Sequence, residues 1–335
     1  MAQTIGIIGA GGWGIALAKV LAEKGEEVTL WCHGKQTHDD LLNQRESRTY
    51  LPGVIIPSAV HVTRSLEGTA SNKDFIVCVV PSHGVREVMI QARHKTKPQS
   101  KIICGTKGLE EKSLKTMAEI LAEIFGERET LYHAFLSGPT FALEVARGLP
   151  AAITVAAHSD ELAREIQQML STPTLRVYTS RDVIGVQMGG VIKNIIAIAS
   201  GISDGLSLGQ NARAALITRG LAEMTRLVVR MGGDSLTLAG LPGVGDLILT
   251  CTGGLSRNHH VGMQIAEGRS IEEITQGTQM VAEGVRNTRS VYLLADRLGV
   301  EMPIVEQMYR VIYEQKSPAQ AVRDLMQRSL KPEKP

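Results

Sequence analysis

Short apolar runs, separated by turns and by helical patterns, occupy the first half of the chain and predict the strands of a sheet. The predicted strands are residues 4–8, 26–31, 74–80, 101–104, 132–136, 151–156 and 175–178. The run at 74–80 is continuous rather than alternating, which is typical of a parallel strand buried on both faces. Helical patterns lie between the strands, at 15–21, 113–125 and 161–170. This alternation predicts an α/β fold with a doubly wound, Rossmann-type domain over residues 1–182.

Strand patterns stop at Val183, and only helical patterns follow. The apolar segment from Gly185 to Ala199 predicts a long buried helix. Further helices are predicted at 212–231, 271–275, 288–298, 304–313 and 318–328. Because 335 residues exceed what one hydrophobic core usually supports, a second, all-α domain is predicted over residues 183–330. Residues 331–335 are predicted to be a disordered tail.

The first strand runs directly into a glycine-rich turn, Gly9-Ala10-Gly11-Gly12-Trp13-Gly14, which precedes the first helix. In a G-x-G-x-x-G pattern the first glycine allows the turn, the second lets the backbone approach a pyrophosphate, and the third lets the helix pack closely. The amide groups at the start of the helix then face the phosphates. A surface turn is the alternative, but the position between a buried strand and an apolar helix favours dinucleotide binding.

The second predicted strand ends about 20 residues past the first glycine, where NAD-preferring folds carry an acidic ribose ligand. This chain has Cys32-His33-Gly34-Lys35 at that place, with no carboxylate to repel a 2′-phosphate. His33 and Lys35 can attract such a phosphate, although an ordinary polar loop is nearly as good an interpretation for Lys35. The sequence therefore predicts NADP(H) as the preferred cofactor, with NAD(H) also accepted.

Composition argues against several other classes of protein. Aromatic residues make up 4% of the chain and the net charge is +2, which argues against a nucleic-acid-binding surface. The four cysteines lie far apart and nothing has metal-ligand spacing, so reduced thiols and no metal site are predicted. No secretory signal is recognisable, and the longest apolar run, 183–202, contains polar residues that a lipid-facing span would not tolerate. We therefore expect a cytoplasmic protein without stable membrane insertion.

Three residues are candidates for chemistry. Lys193 lies in the middle of the apolar helix, where burial would lower its pKa and make it a proton donor and acceptor. Gly189 and Gly190, one turn earlier, are predicted to leave room for a ligand. Lys107 lies between two glycines at the end of a strand, and Asp246 lies in a glycine-rich loop where it would orient an ammonium group or bind a hydroxyl. The ordinary alternatives are a lysine that reaches solvent and an aspartate that forms a turn.

The segment Ser256-Arg257-Asn258 follows two glycines and precedes a helix predicted to begin near His260. Arginine has a planar guanidinium that pairs well with phosphate, and serine and asparagine add hydrogen-bond donors. A helix cap with an exposed arginine is an equally good interpretation of this segment alone. Together with the two lysines, it predicts a small anionic substrate whose carbonyl is polarised.

The order of these motifs closely resembles that of bacterial NAD(P)-dependent glycerol-3-phosphate dehydrogenases. The resemblance extends from residue 5 to about residue 313, and its motifs are GAGGWG, VPSH, TKGLE, SGPTFA, GGVIKN, the segment 210–224, GDLILTCT, SRN and EGVRNT. Many members of the family have serine followed by tyrosine or phenylalanine where this chain has Gly12 and Trp13. Trp13 retains the aromatic ring, and Gly12 lacks the serine hydroxyl. The resemblance implies reversible reduction of dihydroxyacetone phosphate to sn-glycerol 3-phosphate for phospholipid synthesis, by a homodimer.

The resemblance also implies roles for individual residues. Lys193 matches the family's proton donor and acceptor, and Lys107 lies between cofactor and substrate, with Asp246 setting the local field. Matches to the family's substrate contacts are Lys107, Gly138, Thr140, Lys193, Asp246, Ser256, Arg257 and Asn258. Matches to its cofactor contacts are Gly9, Gly11, Gly12, Trp13, Gly14, His33, Lys107, Ala142, Arg257, Val281 and Glu283. The alternatives are a β-hydroxyacid dehydrogenase of similar architecture and a non-enzymatic protein that senses dinucleotides.

Overall fold

The structure, a computed structural model, describes residues 2–276, 283–330 and 332–333. Its strands are β1 (Thr4–Ile8), β2 (Glu27–Trp31), β3 (Glu46–Ser47), β4 (Leu51–Ile55), β5 (His61–Thr63), β6 (Phe75–Cys78), β7 (Lys101–Cys104), β8 (His133–Ser137), β9 (Ala151–Ala157) and β10 (Leu175–Ser180). All but β3 and β4 form one sheet in the order β10-β9-β8-β7-β6-β1-β2-β5. The predicted α/β, Rossmann-type fold is confirmed.

The sheet is mixed rather than wholly parallel. Strands β1, β2, β5, β6, β7 and β8 run parallel, and β9 pairs antiparallel with β8 so that Ser137 lies opposite Thr154. Strand β10 is parallel to β9 and therefore also runs against the central strands. The carboxyl ends of β1, β6, β7 and β8 consequently meet at one edge, where ligands bind in such sheets.

The helices in the first part of the chain are α1 (Gly12–Glu23), α2 (Lys35–Asn43), α3 (Leu66–Ala70), α4 (Val85–Arg93), α5 (Met117–Phe125), α6 (Ala142–Ala146) and α7 (Asp160–Leu170). The sequence predicts no helix at α2, α3, α4 or α6, and α5 differs from the prediction at its start. Helix α5 begins at Met117 rather than at Ser113, because Thr116 and Glu119 form a capping box there. Helix α2 and the short β3–β4 ribbon occupy a stretch whose polar pattern predicted no regular element.

The second part of the described chain, 183–276 and 283–330, contains helices and no strand. They are α8 (Val183–Gly205), α9 (Gly209–Arg230), α10 (Ser235–Leu238), α11 (Asp246–Thr252), α12 (Arg257–Ala266), α13 (Ile271–Thr275), α14 (Glu283–Leu298), α15 (Pro303–Tyr313) and α16 (Pro318–Met326), with a π-helical turn at Leu241–Gly245. Asp246 thus begins a helix instead of lying in a loop, and α12 begins at Arg257, three residues before the predicted start.

Helix α8 is the centre of this second part. Helices α9, α11, α12, α14 and α15 pack around it, and it also contacts β8. Two segments, Val183–Gly205 and Ser235–Thr252, are long and apolar enough to cross a membrane by composition. The most apolar stretch of the first is 94% buried inside the protein, so α8 has the character of a core helix. Lys193 is 7% exposed on this helix, in agreement with the predicted long buried helix.

Candidate active site

The glycine-rich turn has the geometry that a dinucleotide site needs. Gly9 has a φ of +121°, which side chains rarely adopt. A Cβ on Gly14 would lie 1.9 Å from the carbonyl oxygen of Gly9, so glycine is required where α1 meets the end of β1. A Cβ on Gly11 would meet no atom within 4 Å, which leaves open space beside the start of α1. The first turn of α1 carries no acidic side chain, so its amide groups suit an anionic phosphate.

Other predicted cofactor contacts gather around this turn. A Cβ on Gly12 would lie 3.1 Å from the carbonyl oxygen of Tyr50 and 3.5 Å from the Cβ of Ala142, so Gly12 packs against both segments. A Cβ on Gly105 would lie 3.1 Å from Nε1 of Trp13, which puts the indole against the end of β7. The glycine cradle and the surrounding groups fit a dinucleotide.

Two further predicted cofactor residues are placed away from the turn, and one lies outside the described residues. His33 is exposed just past β2, and its ring lies 5.6 Å from that of Trp31. Glu283 lies at the start of α14 and accepts hydrogen bonds from the backbone amide and the hydroxyl of Ser82 at 3.0 and 2.8 Å. In this arrangement the Glu283 carboxylate joins α14 to the turn after β6. Val281 falls outside the described residues.

The structure brings together the three residues predicted to carry chemistry. Asp246 is 1% exposed, and its carboxylate accepts a 2.7 Å hydrogen bond from Nζ of Lys107 on one oxygen and a hydrogen bond from Nζ of Lys193 on the other. Nζ of Lys193 also donates to Oγ1 of Thr250 at 2.9 Å, and Nζ of Lys107 to the carbonyl oxygen of Gly138 at 3.3 Å. One buried carboxylate therefore holds two ammonium groups side by side.

Burial and this charge pattern change how the cluster ionises. Burial lowers the pKa of the Lys193 ammonium group to about 8; the charge of Lys107 acts in the same direction, and Asp246 opposes both. Burial alone would raise the pKa of Asp246, but the two lysines outweigh it and hold that pKa below its usual value. Asp246 is therefore ionised at neutral pH. Lys193 is mostly protonated there but readily gives up its proton, which suits a general acid.

The interpretation of Gly189 and Gly190 as room for a ligand is wrong. A Cβ on Gly189 would lie 2.3 Å from the carbonyl oxygen of Pro242, and one on Gly190 would lie 2.6 Å from Oγ of Ser137 and 3.2 Å from Cγ of Lys107. Both glycines are occupied by other parts of the protein. They let the π-helical turn and the Lys107 side chain approach α8 closely.

The segment 256–258 forms the start of α12. Ser256 is the N-cap, and its Oγ accepts a 3.2 Å hydrogen bond from the amide of His259. Arg257 occupies the first helical position and is exposed as a residue, yet partial enclosure of its guanidinium lowers its pKa, and the nearby Glu283 carboxylate opposes this. Asn258 is buried: its Nδ2 donates to Oδ1 of Asn194 at 2.9 Å, and its Oδ1 accepts from the amide of Gly284 at 3.0 Å. The cap and the arginine agree with the local prediction, while the Asn258 amide joins α8, α12 and α14.

The two remaining predicted substrate contacts lie at the end of β8. Gly138 has a φ of +149°, and a Cβ there would lie 3.1 Å from Cα of Ile153 on β9. Its carbonyl oxygen accepts the hydroxyl of Thr140 at 3.2 Å as well as the ammonium group of Lys107. Gly138 therefore connects the strand edge to the lysine cluster. The substrate roles of Gly138, Thr140, Ser256, Arg257 and Asn258 stay predictions.

Comparison with known proteins gives the family. The family models described as NAD-dependent glycerol-3-phosphate dehydrogenase N-terminus and C-terminus match residues 4–163 and 182–323. The chain belongs to the NAD-dependent glycerol-3-phosphate dehydrogenase family. It is 50% identical over 333 residues to the glycerol-3-phosphate dehydrogenase (NAD(P)+) of Citrifermentans bemidjiense, covering 99% of each chain, and 46% identical over 334 residues to that of Geobacter sulfurreducens, covering 100% of each.

Solved structures agree with this assignment to the glycerol-3-phosphate dehydrogenase family. The crystal structure of glycerol-3-phosphate dehydrogenase from Coxiella burnetii matches with a TM-score of 0.93 and 40% identity, covering 98% of this chain and 99% of that one. A ketopantoate reductase from Ralstonia eutropha matches with a TM-score of 0.60 at 14% identity, which shows a shared fold alone. The predicted resemblance is confirmed, and the alternative of a β-hydroxyacid dehydrogenase is not supported.

Sequence reasoning missed several residues of this glycerol-3-phosphate dehydrogenase site. Thr250 accepts a hydrogen bond from Lys193 and donates to the backbone oxygen of Asp246 at 2.6 Å. Its spacing of four residues from Asp246 would have placed it on the same helix face, had that segment been predicted as a helix. Ser82 and Asn287, which contact Glu283 and the backbone of Lys107, lie in the motifs VPSH and EGVRNT, but neither residue was singled out.

Proposed function

We propose that this chain catalyses the reversible reduction of dihydroxyacetone phosphate to sn-glycerol 3-phosphate with NADPH or NADH, for glycerophospholipid synthesis. The observation that carries the proposal is that the buried carboxylate of Asp246 holds the ammonium groups of Lys193 and Lys107 together. Lys107 lies two residues after Gly105, which packs against Trp13 of the glycine-rich turn. Lys193 is the acid that a developing alkoxide needs, and its lowered pKa matches the working pH.

The start of α1 would hold the pyrophosphate of the cofactor, and Trp13, Ala142 and Lys107 border the same region. When bound, the nicotinamide cofactor supplies the hydride equivalent that the reduction requires. The preference for NADP(H) rests on His33, which is exposed past β2 with no acidic residue between it and Lys35. A H33A variant should lose more kcat/KM with NADPH than with NADH; equal losses with the two cofactors would contradict this role.

The chain's own residues divide the remaining work. Protonated Lys193 gives its proton to the C2 oxygen as the alcohol forms, and Asp246 keeps that ammonium group protonated and oriented. Lys107 adds a second positive charge beside the same oxygen. Arg257, with Ser256 and the polar groups at the end of β8, holds the phosphate and so fixes the position of the carbonyl carbon. In the reverse direction neutral Lys193 accepts the proton of the alcohol.

The test is loss of reduced nicotinamide absorbance with dihydroxyacetone phosphate, run in parallel with NADPH and NADH. Oxidation with either cofactor supports the proposal, and no turnover with either would refute it. The K193A variant should fold and bind cofactor, yet lose about 10²-fold or more of kcat, because it lacks the general acid. Turnover at the wild-type rate by that variant would exclude Lys193 as the proton donor. Tight cofactor binding without any turnover would instead favour the dinucleotide-sensing alternative.

We further propose that the enzyme is a cytoplasmic homodimer. Each chain would consist of a dinucleotide-binding domain over residues 1–182 and an all-α substrate domain over residues 183–330. Light scattering of the purified protein should give the mass of two chains. The mass of one chain would contradict the dimer.

A further inference from the structure

A single buried side chain connects the backbones that carry the two lysines. Asn287, on α14, is 1% exposed, and its Nδ2 donates a 3.0 Å hydrogen bond to the carbonyl oxygen of Lys107. The same nitrogen lies 3.5 Å from the carbonyl oxygen of Val191, on α8 and two residues before Lys193. An amide nitrogen has two hydrogens, so one side chain can satisfy both carbonyl groups.

The side-chain oxygen of Asn287, unlike its nitrogen, takes part in no such link. Oδ1 of Asn287 is buried and has no hydrogen-bond partner among the described residues. It faces Gly108, where a Cβ would lie 3.2 Å from Oδ1 and 2.4 Å from the Cβ of Ser82. Burying an amide oxygen without a partner destabilises the folded protein. An apolar residue of the same volume would avoid that cost, but it would leave the carbonyl groups of Lys107 and Val191 without this donor.

Other residues of α14 also contact the first part of the chain, and they provide a comparison. Glu283 bonds to Ser82, and Arg286 forms a 2.9 Å ion pair with Glu111. Neither contact touches the backbone of a lysine in the cluster. Arg286 bonds to the side chain of Glu111, four residues further along the loop, whereas Asn287 bonds to the backbone of Lys107 itself.

We propose that Asn287 is a positioning residue, which holds the loop of Lys107 against the helix of Lys193 so that both ammonium groups meet the carboxylate of Asp246. It does not touch the reacting atoms. Its effect passes through the Lys107 carbonyl group, and an error of about 1 Å in such a position is enough to reduce turnover about 10²-fold. This inference rests on the proposed function, because it assigns a role within the same reaction.

The first variant is Asn287→Leu, which keeps the approximate volume and removes both donors. We expect kcat to fall about tenfold or more, while the KM for dihydroxyacetone phosphate, which depends on Arg257, changes by less than about threefold. We also expect the kinetic pKa of Lys193 to rise, because the charge of Lys107 is no longer held beside it. The charged groups that face Lys193 are Lys107 and Asp246; Cys251 also lies nearby, and burial raises its pKa to about 12, so it stays neutral.

The matched control is Thr288→Val, at the next position of the same helix. Thr288 is fully buried and its hydroxyl donates a 2.7 Å hydrogen bond to Gly284 within α14. This variant also loses a buried polar contact, so it should lower the Tm, yet kcat and the kinetic pKa should stay at their wild-type values. A loss of kcat in T288V equal to that in N287L, or wild-type kcat and pKa in N287L, would overturn the proposal.

A second variant covers the case in which N287L does not fold. Asn287→Asp is isosteric, and its ionised carboxylate cannot donate to the Lys107 carbonyl group. We expect the ratio of its kcat to the wild-type kcat to rise as the pH falls, because the protonated acid regains one donor. A ratio that does not change with pH would contradict the role of the donor.

The pKa of Lys193 can also be followed without turnover, by NMR on protein labelled at its lysine side chains. Wild-type protein that turns nothing over would refute the proposed function. A Lys193 pKa equal in N287L and wild type would refute the positioning role independently.

Discussion

Replacing Asp246 with asparagine tests the electrostatic account of the site most directly. In the wild type, Asp246 is the group that opposes burial and the Lys107 charge, and Lys193 keeps a pKa of about 8. In D246N only the two influences that lower this pKa remain. We therefore expect a neutral Lys193 at neutral pH and a pH profile for ketone reduction that is displaced towards acid.

The size of the effect follows from the protonated fraction of Lys193. At pH 8 about half of the wild-type lysines carry the proton, whereas a pKa about two units lower leaves about one in a hundred protonated. Reduction at pH 8 should then slow about fiftyfold, with recovery as the pH falls towards the new pKa. Oxidation of glycerol 3-phosphate, which needs neutral Lys193, should lose much less. Removing one partner of a buried ion pair also costs about 3–5 kcal/mol of stability, partly relieved when the lysine neutralises.

The assay measures kcat for NADPH oxidation at saturating dihydroxyacetone phosphate, from about pH 6 to about pH 9. The control is D182N, because Asp182 caps the same helix α8 by accepting the amide of Gly185 at 2.8 Å. Because an asparagine side-chain oxygen accepts the same hydrogen bond, D182N removes a charge at the start of α8 but keeps the cap, so it should change stability little and leave the kinetic pKa unmoved. A D246N profile with an unchanged or raised kinetic pKa would refute the reasoning.

Three further predictions concern the cofactor turn, the phosphate and a buried acid. Gly14→Ala should lower the Tm in thermal unfolding, because its methyl group would lie 1.9 Å from the carbonyl oxygen of Gly9. Gly11→Ala should keep the Tm, because it meets no protein atom, and should raise the Kd for NADPH measured by calorimetry. Arg257→Ala should chiefly raise the KM for dihydroxyacetone phosphate, and an unchanged KM would place the phosphate elsewhere. Burial raises the pKa of Glu223 to about 7. The folded state thus favours its proton, and the Tm of the wild type relative to E223Q should fall as the pH rises from about 4.5 to about 7 and then level off; a constant difference would contradict this.

The sequence predicts the elements better than their arrangement. Continuous apolar runs and a long apolar helix are local properties, so β1, β6 and α8 follow from the printed residues alone. The direction of β9 does not, because pairing Ser137 opposite Thr154 depends on contacts between distant segments. Helix starts can be predicted where a capping pattern is recognised. Thr116 and Glu119 have capping-box spacing, and applying that rule would have placed the start of α5 correctly.

Within the site, side chains with unusual surroundings can be predicted, and the partners that explain them cannot. A lysine among isoleucines is conspicuous in a sequence, so Lys193 is found by inspection. The carboxylate it binds is 53 residues away and lies in a segment whose glycines concealed a helix. For Asn258 the sequence predicts a ligand contact, which stays a prediction, but it does not reveal that the side-chain amide bonds to Asn194 and Gly284.

The misinterpreted glycines show how the scaffold and the chemistry depend on each other. Gly189 lets the carbonyl group of Pro242 approach α8, and this brings the π-helical turn and the start of α11 against the helix that carries Lys193. Gly190 gives the Lys107 side chain its path to the same carboxylate. A side chain at either position would push a charged partner away from Lys193. The absence of a side chain at Gly189 and Gly190 therefore helps to set the pKa of Lys193, one turn along the helix. Asp246 and Lys107, the two charged groups that act on Lys193, both approach it past these glycines.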